Sequence, residues 1–299
     1  MARVITRVSS TPAPQPGFIG EGHLAVEVLR PDELTDSDPF ALLMDDRLDI
    51  ARRRQIGGPH PHAGLETVTL VLEGSAFDRD EGAVSAGDAL WMTAGRGVVH
   101  NEHVEAEGKV RILQLWIGLP ARARFAAPSL QRLPAGEQPV LNEPGVMVRL
   151  YSGQSGALVS PTKNLVPVTL AEIKLGPDAQ HAFALPAAHT GFLYVIEGEL
   201  KVGANSKRVR AGEVGWLDPA APAGSSELPL SAGAAGARAV LYAGEPHGEA
   251  LIQHGPFVAD SEKTIMQFYS EYRAGRFQRL SELAASRPLA NASSLPTNP

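Results

Sequence analysis

The chain has 299 residues, enough for two domains, and 43% of them are hydrophobic, enough to bury a sizeable core. Cysteine is absent, which excludes disulfides and thiolate ligands and leaves nitrogen and oxygen to hold any metal. Lys+Arg 27 against Asp+Glu 33 gives a net charge of −6, without the basic footprint of a nucleic-acid binder, and no stretch approaches the roughly 20 apolar residues that span a bilayer.

Residues 1–16 contain no apolar core of the kind a secretory signal needs, so a cytoplasmic location is expected, as the lack of cysteine also suggests. Short apolar runs rich in Val, Leu, Ile and Thr follow, at residues 66–72, 110–119, 146–151, 166–175, 192–196 and 238–242. Glycine (30) and proline (24) punctuate them, and many short strands between turn residues predict an all-β sandwich or barrel. The densest basic cluster, Arg52-Arg53-Arg54, reads as an exposed loop.

The chain repeats itself. Leu70-Val71-Leu72-Glu73-Gly74 is followed by Val84-Ser85-Ala86-Gly87-Asp88-Ala89-Leu90-Trp91-Met92. Tyr194-Val195-Ile196-Glu197-Gly198 is followed by Val209-Arg210-Ala211-Gly212-Glu213-Val214-Gly215-Trp216-Leu217. Two matched blocks in one order indicate a duplicated β-unit. The expected division is residues 1–135 and 136–258, with the junction where Pro, Gly and Glu collect at residues 134–144. Beyond them, Ser261 is placed to cap a helix whose apolar stripe is Ile265, Phe268, Tyr269 and Tyr272, with Gly275 at its end. Residues 259–285 are assigned to this helical segment, and residues 286–299, where patterning is lost, to a disordered tail.

The first copy carries two short pairs that the second lacks. In His60-Pro61-His62, residues i and i+2 of an extended strand point to one face, and Pro61 favours extended backbone. His100-Asn101-Glu102 repeats the device with an imidazole and a carboxylate. Sliding the second copy over the first puts Ala184 and Pro186 under His60 and His62, and Ser225 and Glu227 under His100 and Glu102. The scaffold persists while the imidazoles do not, which predicts one divalent metal ion held by His60, His62, His100 and Glu102 in the first unit and none in the second. Glu66 shares the strand parity of His60 and His62, and is read as a structural hydrogen bond at the barrel rim or as the acceptor for a ligand imidazole. His103 alternates to the opposite face from Glu102, Arg96 reads as a turn residue, and Trp91, Gln114 and Trp116 read as packing.

Further blocks stand in order: Asp38-Pro39-Phe40 with Leu42-Leu43-Met44-Asp45, residues 59–68, residues 91–102, Gln114-Leu115-Trp116, Gly244-Glu245-Pro246 and residues 253–258. Together these blocks resemble the cupins, and among cupins the pirin family. The resemblance implies two antiparallel jelly-roll barrels with a C-terminal helix packed back on the first. It also implies a metal on His60, His62, His100 and Glu102, usually iron as Fe(II), with Cu, Ni, Mn or Zn as alternatives. Ala63 stands where many relatives carry arginine and Leu65 where many carry phenylalanine, and both are expected at the cavity mouth.

Two functions follow from the resemblance. One is a quercetin 2,3-dioxygenase-like enzyme that opens a flavonol-like aromatic with loss of carbon monoxide. Glu102 would take the 3-hydroxyl proton or serve only as a fixed ligand. The other is a non-enzymatic, metal- or redox-sensing regulator that binds a protein partner. A Lewis-acid isomerase or hydrolase is a third reading. None calls for direct nucleic-acid or membrane contact, and a monomer is expected.

Overall fold

The computed structural model describes residues 1–17, 20–29, 37–56, 58–78, 80–101 and 104–284. Two nine-stranded sheets dominate it. The N-terminal sheet runs Ser129–Leu133, Ala89–Thr93, Leu65–Glu73, Val104–Gly118, Phe40–Ile56, His23–Leu29 and Gln15–Pro16, with the hairpin Ser75–Asp78 and Gly82–Ser85 beside it. The C-terminal sheet begins with Ile5–Ser10, then Glu213–Leu217, Thr190–Val202, Ser225–Gly244, Val168–Leu175, Val146–Ser152 and Val140–Glu143. Every pairing within these two sheets is antiparallel. The fold is the all-β, two-barrel cupin that the motifs implied.

Strand alternation sorts side chains between two destinations. Val68, Leu70 and Trp91 of the first barrel meet Phe192, Tyr194, Trp216 and Tyr242 of the second in one shared core. Phe192 stacks on Tyr242 with ring centroids 5.0 Å apart and takes the edge of Phe40 at 5.5 Å. Each large side chain buried there contributes about 1.5–3 kcal/mol of hydrophobic stabilisation. Inside the second barrel, Phe183, Leu185, Leu193, Val195, Leu228 and Leu230 form a separate apolar core. The first barrel instead opens into a cavity.

Several expectations need correction. Ile5–Ser10, expected in the N-terminal unit, is an edge strand of the C-terminal sheet, paired with Glu213–Leu217. Its Ile5 side chain fills the second barrel's core, and Arg7 lies over the Trp216 ring at 4.3 Å. The chain then crosses back, so that Gln15–Pro16 pairs with Leu24 and Ala25 of the first barrel. Arg52-Arg53-Arg54, expected in a loop, continue the strand Phe40–Ile56, whose backbone pairs with Val104–Gly118 as far as Ile56. In the second barrel, Ala184 and Glu227 face each other in register, but Glu227 is exposed, while Phe183, Leu185 and Leu228 point inward. The inward-facing positions of these strands are therefore one residue out of phase with the simple slide, and a one-residue slip reverses the face.

The helix Glu262–Arg273 starts at Ser261, whose Oγ accepts from the Thr264 N–H at 3.3 Å, and Gly275 follows it at φ +69°. Ile265 and Phe268 are buried, whereas Tyr272 is exposed. The segment continues into Gln278–Arg279, a strand parallel to Val98–Asn101, and a short helix Leu280–Ala284. Ala63 and Leu65 lie beneath this segment and not at the cavity mouth. Ala63 packs with Phe257, Ile265 and Phe268, and Leu65 with Val258 and Leu280. Residues 286–299, expected as a tail, lie outside the described residues.

Candidate metal centre

A small three-stranded sheet builds the site. Pro59–His62 pairs antiparallel with Val98–Asn101, setting His60 opposite His100 and His62 opposite Val98. Pro61, between the histidines, keeps the strand extended, so His60 and His62 share one face. Gln278–Arg279 covers the other edge of Val98–Asn101. The three rings close to centroid separations of 4.9, 4.3 and 5.1 Å, and one ligand nitrogen from each lies within 4.8 Å of the others. Among the described residues this is the only group of three or more such side chains.

The surrounding acceptors settle the tautomers. His60 Nδ1 meets the Gly58 carbonyl at 3.1 Å, His62 Nδ1 the Pro256 carbonyl at 3.3 Å, and His100 Nδ1 the Glu81 carboxylate at 3.0 Å. A carbonyl or carboxylate oxygen only accepts, so each Nδ1 donates to its partner, and Nε2 is the nitrogen left to face the site. The Nε2 atoms of His60 and His100 stand 2.9 Å apart. At that distance the two nitrogens can share a proton or flank an ion. Burial, and then the neighbouring His100 and His60 rings, hold the His62 pKa well below its usual value, so this imidazole stays neutral and ready to ligate. Three oriented imidazoles on one face fit a borderline divalent transition ion. Glu102 and His103 lie outside the described residues.

A cavity of about 520 Å³ opens beside His60 and His62. Met44, Asp46, Gln114 and Trp116 are among its walls, with Pro12, Ala13, Gln15, Pro16 and Gly17. Trp116 turns the edge of its ring system to His62, centroids 5.0 Å apart. Gln114 and Trp116, read from sequence as packing, thus border the site. The signal was available: Gln114 is the one polar residue between Ile112 and Ile117, and it shares strand parity with Trp116. Trp91, by contrast, belongs to the core between the barrels.

Glu66 is fully buried and accepts from Thr93 Oγ1 at 2.7 Å. It lies on the face of its strand that sends Val68 and Leu70 into the inter-barrel core. Burial pushes its carboxyl up to about 7, against the opposing pull of the Thr93 hydrogen bond. The carboxylate that meets the His100 imidazole is instead Glu81, from a loop that carries no motif. Arg96 is an exposed turn residue between Gly95 and Gly97, as expected.

A two-barrel cupin with one histidine-lined barrel and one apolar barrel is the class that this fold and site define. The family model for Pirin matches residues 25–117, and that for the Pirin C-terminal cupin domain matches residues 170–278. The chain is 32% identical to the Pirin-like protein of Solanum lycopersicum over 86% of this chain and 88% of that one. It is 34% identical to Pirin of Homo sapiens over 81% and 83%. The chain belongs to the pirin family. Among solved structures, quercetin 2,3-dioxygenase from Acinetobacter baumannii superposes with a TM-score of 0.81 at 26% identity, over 93% of this chain and 99% of that one. No described helix is long and apolar enough to cross a membrane.

Proposed function

We propose that the chain is a metal-dependent dioxygenase acting on a flavonol-like aromatic. His60, His62, His100 and Glu102 are the ligands, and Fe(II) is the ion expected. The observation that carries the reading is the cluster of three imidazoles, one ligand nitrogen of each within 4.8 Å of the others, beside a cavity large enough for an aromatic ligand. The likeness to the Acinetobacter baumannii dioxygenase supports the choice of reaction.

Held by His60, His62, His100 and Glu102, a redox-active ion would supply the oxygen chemistry. The protein's share is positioning. Gly58, Glu81 and Pro256 fix the ring orientations through Nδ1. Trp116 and Met44 offer apolar surface to an aromatic ring, and the buried side of the site restricts water. Glu102, next but one to His100, takes the proton of the reacting hydroxyl.

The test is anaerobic purification and elemental analysis of wild type and His62→Ala, followed by oxygen uptake with quercetin. About one ion per chain, missing from the variant, with metal-dependent uptake is the expected result. Metal bound without uptake would shift the reading to a regulator that binds a protein partner. No metal in either protein would sink the site itself.

A further inference from the structure

The cavity beside the histidines has two unlike ends. At one stand His60 and His62; across it, adjacent strands present Glu27 and Asp46. Ala25 is the in-register neighbour of Asp46, and Glu27 is two residues on, so the carboxylates are diagonal neighbours, their backbones on the order of 7–8 Å apart. Asp46 is held in place from behind. Its Oδ1 accepts from the His23 Nε2–H at 2.7 Å, and the His23 side chain is fully buried. Gly17 closes over that imidazole, because a side chain at position 17 would collide with the His23 ring. Met44, in register with both Glu27 and Gln114, lies between the acidic positions and the Trp116 side of the cavity.

We infer that Asp46 and Glu27 make this wall selective for an uncharged, hydroxyl-bearing aromatic and exclude one that carries a carboxylate at its far end. This rests on the reading that the cavity serves the metal centre. An ionised carboxylate only accepts hydrogen bonds, and bonds from hydroxyl groups to it are charge-assisted. A second anion brought against it in a partly dry cavity is repelled. Trp116 and Met44 supply the flat and adaptable apolar contacts that a ring between the two ends needs. The histidine end takes one oxygen donor, and the acidic end takes hydroxyl hydrogens.

Two ring-matched probes test this: 3,4-dihydroxybenzamide and 3,4-dihydroxybenzoate, titrated into the metal-loaded protein and followed by quenching of tryptophan fluorescence. Wild type should bind the amide about tenfold more tightly than the carboxylate. Asp46→Asn, which keeps an acceptor for His23, and Glu27→Gln should each shrink that ratio by strengthening carboxylate binding. Equal affinities in wild type, no binding of the amide, or a ratio unchanged in both variants overturns the inference. Oxygen uptake with quercetin on the same samples separates the two readings. Selectivity without uptake removes the dioxygenase and keeps the inference, and uptake without selectivity does the reverse.

Discussion

Glu66 shows how one buried side chain can set the pH response of the fold. Its carboxyl titrates at about 7 in the folded chain and near 4.5 when exposed. Between these values the folded state holds a proton that the unfolded state has lost, so stability falls as pH rises through that window. Above it, the ionised carboxylate costs on the order of 3 kcal/mol. Glu66→Gln keeps the acceptor for Thr93 and removes the charge. The variant is expected to match wild type near pH 4.5 and to exceed it at pH 8, as read from urea midpoints at the two values. A midpoint difference independent of pH would show that Glu66 does not ionise in the fold. At this scale the sequence exposed the three clustered histidines, because alternation around Pro61 is a local signal and the repeat lacks the imidazoles. It could not separate the roles of Glu66 and Glu81, since strand parity names a face without naming what lies across it.

The C-terminal helical segment holds the site from outside. Phe268 packs on Phe257 at 5.9 Å and shares a cluster with Ala63, the neighbour of His62. Pro256, next to Phe257, provides the carbonyl that orients His62. Phe268→Ala would leave a cavity in this cluster, with an expected loss of about 3–5 kcal/mol. Because Phe257 and Pro256 are adjacent, metal affinity should fall together with stability, although no ligand is touched. Calorimetric melting with metal content on the same sample checks both, and a destabilised variant with unchanged metal affinity would separate the helix from the site. The helix itself was legible: a capping serine, an apolar stripe and a terminal glycine are all encoded within one short stretch. The strand Ile5–Ser10 was not. A lone strand carries no mark of which sheet edge it will join, and here that edge belongs to the far barrel. Ala63 and Leu65 were misplaced for the same reason, since the segment that covers them arrives about 200 residues later, a separation that local patterning does not register.

Across the whole molecule, the two barrels are joined by an apolar core with charge at its margin. Asp45 is fully buried, accepts from Arg111 Nε and Nη2 at 2.8 and 2.7 Å, and also accepts from Arg47 at 2.8 Å and Tyr194 Oη at 2.9 Å. Tyr194 belongs to the second barrel, so one carboxylate of the first is tied to both. Burial alone would raise the Asp45 pKa, but the hydrogen bonds and charges of Arg111 and Arg47 outweigh it and hold the carboxyl below its usual range. Its contribution is therefore present above pH 3.8, the exposed value, and is lost as pH falls through the lower folded value. Asp45→Ala strands the largely buried Arg111 and the Tyr194 hydroxyl together, a loss on the order of 3–5 kcal/mol. Tyr194→Phe removes one neutral donor and should cost about 1 kcal/mol. If the charge cluster couples the barrels, Asp45→Ala should split a single unfolding transition into two, while Tyr194→Phe only shifts its midpoint. One transition in both variants would assign the coupling to the shared apolar core, where Phe40, Phe192 and Tyr242 cross between the sheets.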